Sequence, residues 1–373
     1  MANLVLYRKY RPKTFSEIIG QEHIVKTLIN AIASGMISHA YLFSGPRGSG
    51  KTTIARLLAK AVNCKNLDRS KQGKFEPCNQ CTSCIEINEG RAIDLIEIDA
   101  ASHRGIDEIR ELKEGIRFVP NKSKYKVFIV DEAHQLTKEA ANALLKTLEE
   151  PPPHAIFILA TTEIHKMIPT IVSRCQRFDF RRLTLPEIVK RLEILSGAEK
   201  ANIEKDALEL IAINSGGSLR DAESILDQVL TFSQGSSKEK ITAQDIKEVL
   251  GLVETSLVSQ FVDFLIKKDI SSALSFINQI SEKGFDLQEF TTSLISYLRQ
   301  GLVTKINSKI FNPILSGLTE EEFQKLKKQI NGLKEEELCQ ILEIFLEAEN
   351  KMRYSSFPQL PLELAVVEIL QKK

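Results

Sequence analysis

The stretch from Gly45 to Thr53, GPRGSGKTT, decides the fold. It fills the pattern G-x-x-x-x-G-K-[ST] at every fixed position, with Gly45, Gly50, Lys51 and Thr52. Each residue type answers a requirement of a phosphate chain. Glycines let successive backbone N–H groups turn inward on the oxygens, a lysine ammonium neutralises β and γ oxygens, and the threonine hydroxyl ligates magnesium. Pro46, Gly48, Ser49 and Thr53 complete the loop. The flanks agree. AYLFSG before the loop is a short apolar run ending in glycine, and KTTIARLLAKAV after it carries apolar residues at helical spacing. Strand, loop and helix in that order place a phosphate site at a helix N-terminus.

Further strand-like runs follow at DLIEID (Asp94 to Asp99), YKVFIVDEA (Tyr125 to Ala133) and AIFILATT (Ala155 to Thr162), with helical patterns such as EAANALLKTLEE between them. Alternation of this kind predicts a parallel α/β sheet with helices on both faces, over residues 1–180. Ligands of such sheets sit at the carboxyl ends of the strands, where Asp131 and Thr162 fall. Past residue 180 strand signals vanish. TLPEIVKRLEIL opens with Thr184 as an N-cap and Pro186 in the first turn, and DALELIAINSGGSLRDAESILDQVL reads as two helices broken at Gly216 and Gly217. A small helical domain is expected over 181–248, and amphipathic patterns predict a separate helical bundle over 249–373.

With 50 basic and 49 acidic residues, the 373-residue chain has a formal net charge of +1, so any nucleic-acid contact must come from local clustering. Tryptophan is absent and aromatics make up 6%, which argues against a stacking platform for single-stranded bases. No apolar run is long enough to span a bilayer, and MANLVLYRKYRPKTF lacks a signal-peptide core. A cytoplasmic protein is expected.

The chemistry needs a second acidic element beside the phosphate loop. VFIVDEAH supplies it, with Asp131 delivered to the magnesium shell and Glu132 to the water that attacks the γ-phosphate. An acidic pair at a strand end can also serve only to cap the next helix, but the upstream loop favours the catalytic reading. The letters DEAH also evoke a helicase family. That reading demands a second nucleotide-binding sheet domain, and the residues beyond 180 offer only helices.

Of six cysteines, Cys64, Cys78, Cys81 and Cys84 cluster as C-x13-C-x2-C-x2-C, while Cys175 and Cys339 stand apart. Four thiolates at such short spacing can close a tetrahedral zinc site. An iron–sulfur cluster is the alternative, although the Cys-Pro that follows in ferredoxin runs is missing. In ASHRGIDEIRELKEGIRF, arginines and lysines recur near helical spacing with glutamates interleaved, a pattern that also fits a solvated helix face.

A small helical domain directly behind a P-loop sheet domain is the arrangement of AAA+ ATPases, and further stretches narrow the resemblance. YRKYRPKTFSEIIGQEHIVKTL, SHAYLFSGPRGSGKTTIARLLAKAVNC, DLIEIDAASHRGIDEIR, NALLKTLEEPP, ILATTE, IVSRCQRFDF and GSLRDAESILDQ occur in this order. Together they resemble the gamma/tau clamp-loader ATPase family of bacterial DNA polymerase III, most densely over residues 1–230.

The resemblance implies roles. Thr162 is the first sensor, Arg220 the second, and Arg174 in SRC the arginine finger offered to a neighbouring subunit's site. Tyr7, Arg8, Arg11, Pro12, Ile18, Ile19 and Gln21 belong to the segment that cradles adenine, and the cysteine cluster, as a module over about 64–84, holds structural zinc. His103, Arg104 and Arg110 face duplex DNA, gripping phosphates without reading sequence. The implied activity is ATP hydrolysis with Mg2+ within the DNA polymerase III holoenzyme, a DNA-directed DNA polymerase. The implied partners are other loader subunits, the sliding clamp and primer–template DNA, with the polymerase core and replicative helicase engaged through a longer form. Two alternatives stay open: another AAA+ machine, such as a branch-migration motor or helicase loader, and a structural loader subunit that does not hydrolyse ATP.

Overall fold

The computed structural model describes residues 4–69, 75–102, 115–116, 118–233, 240–251, 254–306 and 320–371. The chain divides into two compact units, one formed by residues 1–200 with 214–227, the other by 201–213 with 228–373.

The first unit is built on five parallel strands: β1 Ala40–Ser44, β2 Leu95–Asp99, β3 Lys126–Asp131, β4 Ala155–Thr161 and β5 Gln176–Asp179, in the spatial order β2-β3-β4-β1-β5. Burial explains why the central strands are legible as apolar runs. Every residue of β1 and β4 is buried, as helices on both faces of a parallel sheet require. The edge strands β2 and β5 are instead only partly covered, leaving Glu97, Asp99, Arg177 and Asp179 exposed. One face packs Ile24, Leu28, Ile54 and Leu58 against Tyr41, Phe43 and Ile158, and the other packs Leu144, Leu148 and Ile171 against Leu42, Phe128 and Phe157.

Sheet order positions the site. β3, β4 and β1 are adjacent, so the residues that leave their carboxyl ends lie side by side: Asp131 and Glu132 from β3, Thr162 from β4, and Gly45 from β1. The helix Lys51–Val62 starts directly behind the Gly-rich loop. An insertion follows it, made of the antiparallel pair Asp68–Arg69 and Phe75–Glu76 and the short helix Thr82–Asn88.

After β5 comes the helix Leu185–Ala198, capped at Thr184, with Pro186 in its first turn. The cap carries a prediction. Glu187 accepts the Thr184 N–H (2.8 Å) and both terminal nitrogens of Arg181 (2.9 and 2.6 Å). The Arg181 guanidinium, aided by Thr184 and opposed by burial, pulls the Glu187 carboxyl down to about 2. A depressed carboxylate contributes stability that is full above its unfolded value and is lost as pH falls through the folded one. Thermal unfolding from about pH 5 down to pH 2 should therefore show an acid-induced loss that is smaller in Glu187→Gln.

Helices Lys205–Asn214 and Leu219–Ser233 are broken by a turn in which Gly216 and Gly217 have φ of 57° and 86°. Among its described residues, the regular structure of the second unit is helical apart from a bridge between Ile203 and Ile241. Its core gathers Phe261, Phe290 and Phe345, each fully buried, from the helices Thr255–Ile266, Leu287–Ile306 and Glu335–Met352. Phe290 meets Phe261 edge to face at 5.2 Å. Phe290→Ala should cost about 3–5 kcal/mol, measured by chemical denaturation. Beside this core, buried Gln329 accepts from Tyr297 Oη (2.7 Å) and donates to the Ser259 carbonyl (2.9 Å) and Asp263 Oδ1 (2.7 Å), so its amide is satisfied.

Candidate active site and cysteine cluster

The Gly-rich loop is shaped by close approach. A Cβ on Gly48, which has φ of +74°, would lie 2.0 Å from Ser218 Oγ, and the Leu219 N–H donates to the Gly48 carbonyl (3.3 Å). Only glycine lets the loop and the turn before Leu219 come this near. Gln21, also buried, donates to the carbonyls of Ser49 (3.3 Å) and Arg181 (2.8 Å). It braces the loop from behind and does not line the cleft.

Within the loop, Lys51 Nζ donates to the carbonyls of Gly45 (2.7 Å) and Pro46 (2.9 Å). Burial lowers its pKa, and the carboxylates of Glu132 and Asp131 offset part of that cost. Thr52 Oγ1 donates to Asp131 Oδ2 (2.7 Å), which brings together the two groups expected around magnesium. Glu132 has a left-handed backbone, φ of 48°, and its N–H is held by Asp131 Oδ1 (3.0 Å). Its Oε2 accepts from both the N–H (3.2 Å) and the Oγ1 (2.9 Å) of Thr162.

The cleft encloses about 280 Å³ and is lined by Tyr7, Arg8, Arg11, Pro12, Ile18 and Ile19 from the N-terminal arm, by Gly48 to Thr53, by Asp131 and Glu132, and by Arg220. Residues far apart in sequence thus share one cavity. Arg220 crosses toward the arm, its guanidinium carbon 4.8 Å from the centre of the Tyr7 ring, and its hydrogen bonding lowers the pKa of the Tyr7 hydroxyl. Arg174 does not line the cleft. It pairs with Glu149 Oε1 (2.7 Å) and donates to the Thr170 carbonyl (2.8 Å). His103, Arg104 and Arg110 lie outside the described residues.

Sequence reading missed several groups. Arg47, Glu17, Leu183, Leu219, Arg191 and Glu223 also line the cleft. Arg191 and Glu223 form a buried ion pair (3.0 Å), and Arg191 Nη2 donates to the Tyr10 carbonyl (2.5 Å). Burial raises the Glu223 pKa despite that partner. His134, almost fully buried, places Nδ1 2.9 Å from Thr161 Oγ1 and 3.4 Å from Glu132, and Nε2 3.4 Å from Glu163. A signal for Arg191 and Glu223 was present, since each is a charged residue on an otherwise apolar helix face. The partner of each was not readable.

The four clustered cysteines converge, their sulfurs all within 4.8 Å of one another. Tetrahedral zinc with bonds of about 2.3 Å separates its sulfurs by roughly 3.8 Å, and Cys78 and Cys84 stand 4.0 Å apart. The backbone offers hydrogen bonds suited to thiolates: the Cys78 N–H points at Cys64 Sγ and the Cys81 N–H at Cys78 Sγ, each at 3.3 Å. Burial opposes ionisation of Cys78, yet N–H donors from Gln80 and Cys81 and the neighbouring thiols bring it down to about 6. Burial pushes Cys64 and Cys84 up. The donor set fits a divalent, thiophilic cation.

Three family profiles cover most of the chain. One described as DNA polymerase III, delta subunit, matches residues 20–184; one described as DNA polymerase III clamp loader subunit, ATPase lid domain, matches 187–235; one described as DNA polymerase III subunits gamma and tau domain III matches 241–373. DNA polymerase III subunit gamma of Buchnera aphidicola subsp. Schizaphis graminum is 37% identical over 366 residues, 98% of each chain. The chain belongs to the gamma and tau subunit family of DNA polymerase III. Within this family, subunit tau of Bacillus subtilis is 42% identical over 371 residues, which is 100% of this chain and 64% of that protein. Subunit gamma/tau of Mycoplasma genitalium is 44% identical over 292 residues, 78% of this chain and 48% of that protein. The chain thus spans about half to two thirds of the length of these two relatives. Among solved structures, the Thermotoga maritima RuvB Holliday junction branch migration motor shares the fold, with a TM-score of 0.50 and 20% identity, over 69% of this chain and 79% of that one. That likeness is one of fold, a parallel sheet with the Gly-rich loop following its β1 strand.

Proposed function

We propose that this chain is an ATPase and a motor subunit of the replicative clamp loader, which opens the sliding clamp and loads it on primer–template DNA. The observation that carries this reading is the convergence, in one cleft of a chain from the gamma and tau family, of Lys51, the Thr52–Asp131 pair, Glu132 and Arg220, with Thr162 bonded to the Glu132 carboxylate.

Each residue then has a role. Loop N–H groups and Lys51 hold the phosphates of ATP, and the arm residues Tyr7, Arg8, Arg11, Pro12, Ile18 and Ile19 hold the base. Thr52 and Asp131 would hold Mg2+, which supplies neutralisation of phosphate charge. Glu132 accepts a proton from the attacking water, and Thr162, which binds its carboxylate, orients it. Arg220 reports nucleotide state from the helical lid, and Arg174 serves the cleft of a neighbouring subunit. Because ATP binding favours the form that grips clamp and DNA, hydrolysis releases both. His103, Arg104 and Arg110 are assigned to the duplex backbone.

The three-part division at 1–180, 181–248 and 249–373 belongs to the same reading, with the last part holding the loader subunits together. Cys64, Cys78, Cys81 and Cys84 would hold zinc, which supplies a structural cross-link, and metal analysis separates it from an iron–sulfur cluster. Cytoplasmic work is consistent with a chain in which no helix among the described residues is long and apolar enough to cross a membrane. Contacts with the polymerase core and helicase are assigned to a longer form.

The deciding experiment measures ATP turnover by this chain with companion loader subunits, with and without clamp and primed DNA, using Lys51→Ala as the blank. Strong stimulation that requires both clamp and primed DNA is expected. Turnover indifferent to the clamp would leave an AAA+ ATPase and remove the loader assignment.

A further inference from the structure

The arm that lines the cleft has little with which to hold itself. Its helix, Leu6–Lys9, has four residues and its 3-10 turn, Phe15–Glu17, has three, both far below the length at which a helix is stable alone. Arg191 holds the Tyr10 carbonyl, and Glu17 accepts the Lys13 N–H within the arm; three further bonds tie residues 13–16 to the cysteine module or to the residue that touches it. Glu76, two positions before Cys78, accepts the N–H groups of Phe15 (2.7 Å) and Ser16 (2.9 Å) on its two oxygens. Lys60 Nζ donates to the Lys13 carbonyl (2.6 Å).

Lys60 lies on the helix that begins at the phosphate loop, and it is 2% exposed. Its remaining protons go to Asn79 Oδ1 (2.7 Å) and Asn88 Oδ1 (2.9 Å). Asn79 sits between Cys78 and Cys81 with φ of 56°, and Asn88 closes the helix that carries Cys84. A lysine this deep is costly unless every proton finds an acceptor. Here all three do, and the acceptors belong to two different segments. Phe15, 1% exposed, packs on Leu57 and Ala61 of the same helix, so arm, module and loop helix form one wedge.

We propose that the cysteine module braces the N-terminal arm over the nucleotide cleft, with Lys60 and Glu76 as the positioning residues that join them. Ligation at Cys78, Cys81 and Cys84 fixes Asn79 and Glu76; these fix residues 13–16; and residues 13–16, together with the Arg191 bond to the Tyr10 carbonyl, set where Tyr7 to Pro12 stand. Metal occupancy and nucleotide affinity are thereby coupled through backbone contacts. This inference rests on the metal reading of the cysteine cluster given above.

The test uses the full chain and two readouts, hydrogen–deuterium exchange and affinity for N-methylanthraniloyl-ATP, before and after metal is stripped with a chelator. Stripping is expected to raise exchange over residues 4–19 as well as 75–88, leave β3 and β4 protected, and weaken nucleotide binding about tenfold, or about 1.4 kcal/mol. Lys60→Met and Glu76→Gln, with metal content retained, are expected to raise arm exchange and weaken binding in the same direction. If stripping changes neither arm exchange nor nucleotide affinity, the brace is overturned. Should the purified chain contain no metal, the metal reading falls, and the two variants alone decide the brace: wild-type arm exchange in both removes it. Should Lys60→Met fail to fold, Glu76→Gln and the stripped wild-type chain decide in the same way.

Discussion

Glu132→Gln is expected to lower ATP turnover by about 10²–10⁴-fold while ATP binding stays close to wild type. The geometry separates the two effects. In the proposed function, binding draws on the loop, Lys51, Thr52 and Asp131; the side-chain donors of Lys51 and Thr52 go to the Gly45 and Pro46 carbonyls and to Asp131, not to the side chain of Glu132. The carboxylate of Glu132 instead accepts from Thr162 through one oxygen, Oε2, so a glutamine carbonyl can take the same two bonds. An amide lacks the basicity to take a proton from water. Its loss is therefore one of chemistry, with the fold around it kept. Phosphate release would report turnover and N-methylanthraniloyl-ATP would report binding. Equal losses in both would mean that Glu132 shapes the site instead of acting as its base. Thr162→Val is the companion, since it removes only the hydroxyl bond and leaves the N–H bond. Its turnover should fall less than that of Glu132→Gln.

How much of this was readable in advance depended on how far each contact reaches along the chain. Gly45 to Thr52 announce themselves because a phosphate loop is one continuous segment with a strand before it and a helix after it. β1, β3 and β4 are legible because strands covered on both faces must be apolar throughout, whereas Glu97 and Arg177 mark edges that face water. Adjacency of β3 to β4 is not written in either strand, although it is what places Thr162 beside Glu132. The Arg191 bond to the Tyr10 carbonyl joins positions 181 apart, and no periodicity specifies a partner at that range. Lys60 is the sharper case. Within KTTIARLLAKAV its spacing reads as the solvated edge of an amphipathic helix, but the cysteine module covers that edge and turns the lysine into a buried strut. The cysteine spacing foretold a cluster, and the structure adds that its surroundings are bonded to the arm of the cleft.

Arg174→Ala is expected to leave ATP affinity of the isolated chain unchanged and to lower turnover triggered by clamp and primed DNA by about 10³–10⁵-fold. Within its own chain Arg174 does not line the cleft, so the first half follows directly from its position. Stability should also hold. The pair with Glu149 is about one-third exposed on the arginine side, and exposed pairs contribute about 0–1 kcal/mol. Glu149 and the Thr170 carbonyl nonetheless aim the guanidinium, with Nη2 on the carboxylate and Nη1 on the carbonyl. A fork held in this way can meet a transferring phosphoryl group without first being ordered, which is where a planar cation exceeds an ammonium. Arg174→Lys should accordingly recover only part of the triggered rate. Mixing decides between a role across subunits and a surface pair. A chain with Arg174→Ala keeps a complete cleft, and a chain with Lys51→Ala keeps a complete finger. In loaders reconstituted from both, some interfaces join the intact cleft of one to the intact arginine of the other, so triggered turnover should rise above that of either variant alone. If Arg174 serves only Glu149, the mixture will show no gain beyond the average of its parts.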